Sequence, residues 1–297
     1  MSARDDIVAP FSLDGAPVRG RIARLGAGSI DSILSRHAYP RPVALLLGEA
    51  VALAALVGSL LKAEGRLVVQ AQGEGDVPLL MAEHRADGAL RGYARLAEGA
   101  AGRLAGAGRM APGALLGAGA LVMTLDQGAA RAPHQGVVPL EGDTLAACAE
   151  CYFRDSEQTD TRIRLAVGEL FGAERGWRAG GLLIQRLASD DARGDTVEDW
   201  TRAGFLFETL GDDELVDPAL EADRVLYRLF HEEGARMAAP ASLRDECGCD
   251  RARLAAVLSR FTAAELEDLA EEDGAIHARC QFCARVHRIE AGEVARA

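Results

Sequence analysis

Four cysteines near the C-terminus constrain this 297-residue chain more than any other feature. They read Cys247-Gly248-Cys249, then a spacer covering 250–279, then Cys280-Gln281-Phe282-Cys283. Two close pairs split by one loop or small subdomain form the layout of a four-thiolate zinc site. Zinc takes four ligands in a tetrahedron. Each pair can supply two from one turn of backbone, and the spacer must fold back to bring the pairs together. The plainer alternatives are a purely structural zinc knob and four unrelated buried thiols. Spacings this tight argue against unrelated thiols. The Cys-x-Cys half argues against a passive knob, because structural sites often use Cys-x-x-Cys in both halves. A disulfide across one residue closes a small, strained ring, and strained disulfides are the readily reduced, regulatory ones. A metal site able to convert into local disulfides is a candidate switch.

With 49% hydrophobic residues the chain can bury a sizeable core, as one large domain or a main domain with a smaller one attached. Its net charge of −12 argues against nucleic acid or an anionic membrane as partner. Arginine carries nearly all the positive charge, and Lys62 is the only lysine. Met1 to Pro10 has no apolar run of the kind a secretory signal needs. That predicts a cytoplasmic protein with reduced thiols, where paired cysteines bind metal or do redox chemistry more often than they staple a fold. Val43 to Leu61 is almost long and apolar enough to span a bilayer. Glu49 lies inside it, Gly48, Gly58 and Ser59 dilute it, and much of the rest is alanine, so it reads as a buried helix of a soluble core.

Turn signals and periodicity predict an α+β fold, a mixed α/β core with an antiparallel sheet. Asp14-Gly15 reads as a hairpin turn between strands at 11–13 and 18–25. Ser29 to His37 suggests a short helix. Strands at 67–72, 77–84 and 89–96 form a meander, and 98–119 reads as loop with one short helix. Strands follow at 120–125 and 136–140. Asp143 looks like the N-cap of a helix to Phe153, with strands at 163–167 and 180–187 beyond it. The lack of a βαβ rhythm argues against a doubly wound fold. Ser189 to Asp195 is polar and acidic and marks a boundary. Two amphipathic helices come next. The first, 196–210, places Val197, Trp200, Phe207 and Leu210 near one face. The second opens at Asp217-Pro218, a cap followed by proline at the first helical position, and offers Leu220, Val225, Leu226, Leu229 and Phe230 for burial. The spacer between the cysteine pairs carries one more helical pattern, Leu254 to Leu269. The predicted organisation is 1–188, 189–243 and 244–297. The last module has little core of its own, so metal binding carries much of its folding free energy, and the two helices before it could depend on it for burial.

Other motifs carry less. Cys148 and Cys151 form a further Cys-x-x-Cys inside a predicted helix, where they read as small buried hydrophobes before they read as a redox dithiol. His277 and His287 bracket the second cysteine pair and could replace or orient a ligand. There is no Gly-rich phosphate loop, no Gly-x-Ser-x-Gly elbow and no His-Glu-x-x-His. The carboxylates are unclustered. The sequence therefore predicts no enzyme. A thiol-disulfide oxidoreductase and a passive zinc adaptor stand as alternatives to a switch.

The chain resembles the redox-regulated holdase chaperones of the heat-shock protein 33 family over essentially its whole length. The cysteine pairs Cys247-x-Cys249 and Cys280-x-x-Cys283 carry the resemblance most specifically. Gln135 to Ala146, Tyr152 to Gln158, Ala179 to Leu183 and Val225 to Glu233 support it, while Cys148 and Cys151 depart from the pattern. The resemblance implies a substrate-binding core at 1–188, a metastable helical linker at 189–243 and a zinc-binding redox-switch domain at 244–297. It implies one Zn2+ per reduced, inactive chain, held by Cys247, Cys249, Cys280 and Cys283. Oxidation would join Cys247 to Cys249 and Cys280 to Cys283, release the zinc and unfold the linker. The active form would be a homodimer that captures unfolding client proteins without ATP. Trp200, Phe207, Leu226, Leu229 and Phe230 on the two helices are the client-binding candidates.

Overall fold

A computed structural model describes residues 5–61, 64–128, 132–171, 175–188, 196–290 and 294. The chain divides into two units, Met1–Asp245 and Glu246–Ala297.

In the first unit, β1 (Ile7–Leu13) and β2 (Val18–Leu25) form the expected hairpin, followed by a π-helical turn at Ala27–Asp31, α1 (Ser32–Ser35) and α2 (Arg41–Gly58). β3 (Arg66–Gly73), β4 (Leu79–Arg85) and β5 (Ala89–Arg95) form the meander. Two short helices, α3 (Ala100–Arg103) and α4 (Pro112–Leu116), stand where one was expected, before β6 (Gly119–Asp126) and β7 (His134–Pro139). α5 (Leu145–Asp155), β8 (Thr161–Leu170) and β9 (Gly176–Arg186) follow. α6 (Val197–Glu208), α7 (Asp212–Val216), α8 (Ala222–Phe230), β10 (Ala235–Met237), β11 (Ala241–Ser242) and β12 (Arg244–Asp245) complete the unit. One sheet runs β10-β1-β2-β9-β8, with β11 also on β1. The other runs β12-β5-β4-β3-β6-β7. Only the short β12–β5 pair is parallel among the described strands.

Helix α2 packs on β3, β4 and β5 of one sheet and on β2, β8 and β9 of the other. A helix that is apolar all round needs every face covered, and Pro42 to Gly58 is buried without a break. By length and composition this helix could cross a membrane, but here it is the core helix expected from the sequence. Two glycines allow the close approach. A Cβ at Gly92 would lie 2.9 Å from Val51, and one at Gly181 would lie 2.7 Å from Leu56.

The opposite face of the first sheet carries α6, α7 and α8. Alternation along β9 sends Leu183 toward α2 and Leu182 and Ile184 toward these helices. Ala203, Phe207, Leu215, Val225, Leu229 and Phe230 bury there, and the Phe230 ring stacks on Phe11 with centroids 6.1 Å apart. The apolar faces of these helices are thus met by the sheet of their own unit. Arg24 on β2 is 1% exposed and donates to the carbonyls of Glu214, at 3.1 Å, and Asp217. Arg178 on β9 donates to the Val216 carbonyl at 2.8 Å and pairs with Asp5.

Three boundaries differ from the sequence reading. Thr144, not Asp143, caps α5, its hydroxyl accepting from Ala147 N at 3.1 Å. Asp217 closes α7 instead of opening a helix, and α8 starts at Ala222, after Pro218. The additional helix α7 is fixed at its start by Gly211 N donating to Glu214 Oε2 at 2.8 Å. The boundary expected at 189–195 lies outside the described residues.

The second unit holds α9 (Arg251–Leu258), α10 (Ala263–Leu269) and a hairpin of β13 (Ala275–Arg279) and β14 (Val286–Glu290). The spacer pattern is two helices rather than one because Thr262 starts a new cap, reciprocated by Glu265. The buried apolar cluster comprises Leu266, Ile276, Ile289 and Val294, with Leu254, Leu258 and a few alanines packed against it.

Candidate metal centre

The cysteine pairs sit on two local devices. Cys247-Gly248-Cys249 runs into the N-terminus of α9, where the Asp250 carboxylate accepts from Arg253 N at 2.7 Å and caps the helix. The Arg253 guanidinium donates back to the Gly248 carbonyl at 3.0 Å and holds the turn. Cys280 to Cys283 form the tip of the β13–β14 hairpin. Cys280 N donates to Arg285 O at 2.9 Å, and Ala284 N donates to Cys280 O at 2.9 Å. The loop closes through Ala284 at φ 57°, a left-handed conformation that is strained for alanine.

The four sulfurs all lie within 4.8 Å of one another, and each cysteine is half-buried. Cys247 Sγ is 3.7 Å from Cys280 Sγ, and Cys249 Sγ is 3.3 Å from Cys283 Sγ. Zn–S bonds of about 2.3 Å in a tetrahedron put sulfurs about 3.8 Å apart. The cluster therefore has the donor set and the mutual spacing to hold one such ion. Sulfur contacts run within the pairs as well, between Cys247 and Cys249 and between Cys280 and Cys283. The thiols do not ionise alike. Burial pushes the Cys249 thiol up, and contacts with the thiols of Cys283, Cys247 and Cys280 add to the rise. Burial also opposes ionisation of Cys280, but N–H groups of Cys283 and Phe282 and the neighbouring sulfurs of Cys283 and Cys247 outweigh it and bring this thiol down to about 7.

The two histidines separate. His287 on β14 places Nε2 3.3 Å from Cys249 Sγ, so it can orient that sulfur. His277 on β13 turns to Asp273, at 3.1 Å, away from the cluster. Burial of Cys148 in the core of the first unit raises its thiol, the opposite of what a redox dithiol needs. Of the client-binding candidates, Phe207, Leu226, Leu229 and Phe230 are buried against the sheet and Trp200 is half-buried. The same helices expose others that the sequence reading passed over, Phe205 at 72% and Tyr227 at 63%. Their positions off the apolar stripe were the available signal.

Comparison with known proteins bears on the whole chain. A family model described as Hsp33 protein matches residues 6–290. A 33 kDa chaperonin of Caulobacter vibrioides is 50% identical over 288 residues, covering 96% of this chain and 95% of that protein. One of the same name from Azotobacter vinelandii is 38% identical over 294 residues, covering 98% and 93%. The crystal structure of the 33 kDa chaperonin (heat shock protein 33 homolog) from Thermotoga maritima shares the fold, with a TM-score of 0.76 at 22% identity, covering 98% of this chain and 97% of that one.

Proposed function

The chain belongs to the Hsp33 family, and from that premise we propose that it is a cytoplasmic, redox-regulated, ATP-independent holdase. A chaperone role follows from the family. The regulation rests on one observation: four sulfurs gathered within 4.8 Å in a unit whose buried apolar cluster is four residues. Cys247, Cys249, Cys280 and Cys283 would hold one Zn2+. Bound zinc would supply folding free energy to 244–297 and keep the thiolates deprotonated, the form oxidants attack.

In this reading an oxidant such as peroxide joins Cys247 to Cys249 and Cys280 to Cys283. Each pair of thiolates gives up two electrons on forming its disulfide, and these, with two protons from solvent, reduce one peroxide to two waters. The donor set is then consumed, and the switch domain at 244–297 and the linker at 189–243 unfold. This pairing is the one implied by membership of the family, and each pair has its two sulfurs in contact. Phe207, Leu226, Leu229 and Phe230 join Trp200 as client surface only when α6 and α8 leave the sheet, and the active form is a homodimer.

The test follows zinc content and aggregation of a thermolabile client together, before and after peroxide at heat-shock temperature. Zinc release with suppression of aggregation is expected. Zinc that stays bound, or a released form that leaves the client to aggregate, sinks the proposal. Peptide mapping of the oxidised chain checks the pairing, and sedimentation checks the dimer.

A further inference from the structure

Strand β8 ends its sheet: β9 pairs with one side of it, and no described strand pairs with the other. The ladder fixes which backbone groups face out. Arg186 N donates to Asp160 O at 3.0 Å across the β8–β9 seam, so even-numbered residues here face β9 and odd-numbered ones face away. Two of the outward residues are capped by side chains. Ile163 N donates to Glu150 Oε1 at 2.7 Å, and Arg109 Nη2 donates to Val167 O at 3.2 Å. Leu165 lies between them. Its outward N–H and C=O face a cleft of about 390 Å3 walled by residues that include Glu49, Arg109, Ala147, Glu150 and Phe207. No described residue takes either group.

Plugging a sheet edge with side chains is a way to stop it pairing with another chain. Here the plugs imitate what a strand would bring: a carboxylate oxygen stands where a C=O would, and a guanidinium N–H stands where an amide would. The charges of the cleft are unequal. Arg109 pairs with Glu49, Arg164 with Asp212 at 3.0 Å and Arg162 with Glu208 at 2.7 Å. Glu150 is left as the wall carboxylate in no ion pair with a described residue, and burial pushes its carboxyl up.

We propose that this edge of β8 docks an extended polypeptide segment carrying a basic side chain. The segment adds as a strand, takes the N–H and C=O of Leu165, and displaces Glu150 from Ile163 N. The freed carboxylate then meets the arginine or lysine of the segment. Main-chain bonds supply affinity without demanding a sequence, as strand addition does elsewhere. The inference rests on the holdase reading and deepens it by naming a client contact.

The full chain, reduced and oxidised, is titrated into a fluorescein-labelled peptide of alternating valine and threonine with one central arginine. Two further peptides carry N-methyl groups on one or the other set of alternate amides. One methylated set is expected to bind about tenfold more weakly, the other like the parent, because only one edge of the peptide faces Leu165. Equal binding of all three overturns the proposal. Ala147→Trp, which fills the cleft, is expected to lose binding, with a melting curve to confirm its fold. Should it not fold, Glu150→Gln decides: it is expected to bind but no longer to distinguish arginine from citrulline, and retained discrimination overturns the proposal. Amide protection of Leu165 that appears on dimerisation without peptide, and that the peptide fails to compete away, assigns the edge to a second copy and also overturns it. Aggregation suppression is scored separately. Suppression without amide dependence rejects this site and leaves the holdase reading intact. Absence of suppression rejects that reading while the peptide titration still reports on the cleft.

Discussion

The two units are held together by different means. Met1–Asp245 wraps two sheets around α2 and covers the outer face of one sheet with α6, α7 and α8, so its apolar clusters draw on nearly every element. Glu246–Ala297 gathers, among its described residues, five buried apolar ones and four sulfurs. A module of this size cannot bury enough surface to offset its chain entropy. The first unit keeps its shape through burial, which no oxidant removes. In the proposed switch the second would concentrate its stability in a few atoms that an oxidant can reach, and its sensitivity to redox chemistry would follow from poverty of core as much as from cysteine.

The largest expected effect tests that contrast directly. On the proposed zinc site, chelation under reducing conditions is expected to remove roughly 10 kcal/mol of folding free energy from the second unit, and Cys280→Ser a large part of it. Amide exchange in β13 and β14 is expected to collapse while α2 keeps its protection. Loss of protection in α2 at the same chelator concentration would break the comparison.

The converse experiment is Phe230→Ala. Its ring is fully buried on the first sheet, and the truncation is expected to cost about 3–5 kcal/mol. The melting transition of the first unit falls and zinc stoichiometry stays the same. A drop in zinc content would show that the units are not energetically separate.

A third effect is a matter of pH. Burial pushes the Glu49 carboxyl up to about 7, with Arg109 pulling the other way. The folded state holds this proton more tightly than the unfolded one, so the stability contributed below the ordinary value of 4.5 is lost as pH rises through about 7. His84 works in the opposite sense. Burial lowers it to about 4, so its contribution is present above 6.5 and is lost as pH falls toward 4. Glu49→Gln should therefore gain about 2 kcal/mol over the parent at mildly alkaline pH and nothing in acid, read from denaturant midpoints of the first unit. A parallel offset at every pH would refute the assignment.

The smallest effect sharpens the comparison from the other side. Thr262→Ala removes the cap of α10 and is expected to cost about 1 kcal/mol. It should show only in the zinc-loaded second unit, as faster exchange in α10. An equal effect after chelation would mean that α10 persists without metal.

Much of this was legible in the sequence where the determinants are local. The meander, the β1–β2 hairpin and α2 follow from alternation, turn residues and an unbroken apolar run. The cysteine cluster was legible because each pair lies within one turn and only the fold-back had to be assumed. Strands β13 and β14 were not, since His277, Arg279, His287 and Arg288 blur the apolar alternation. Asp217-Pro218 misled because the proline forces Asp217 out of helical backbone and ends α7 there, and Arg24, far away in sequence, takes the Asp217 carbonyl. The choice of His287 over His277 depends on hairpin register, and the cleft on β8 joins Glu49, Arg109, Glu150 and Leu165 from separate parts of the chain. No window of sequence contains such coincidences.

Arg24 and Arg178 have a further consequence. Both belong to the sheet, so in the proposed switch they would stay behind as the segment covering it departs. What they leave is a template: guanidinium groups spaced to receive the carbonyls of Glu214, Val216 and Asp217. A segment returning one residue out of step would leave two buried guanidinium groups with only Asp5 to meet them, an expensive error. In the proposed switch the sheet would therefore proofread the return of its own cover, and recovery would restore one register instead of merely hiding apolar surface.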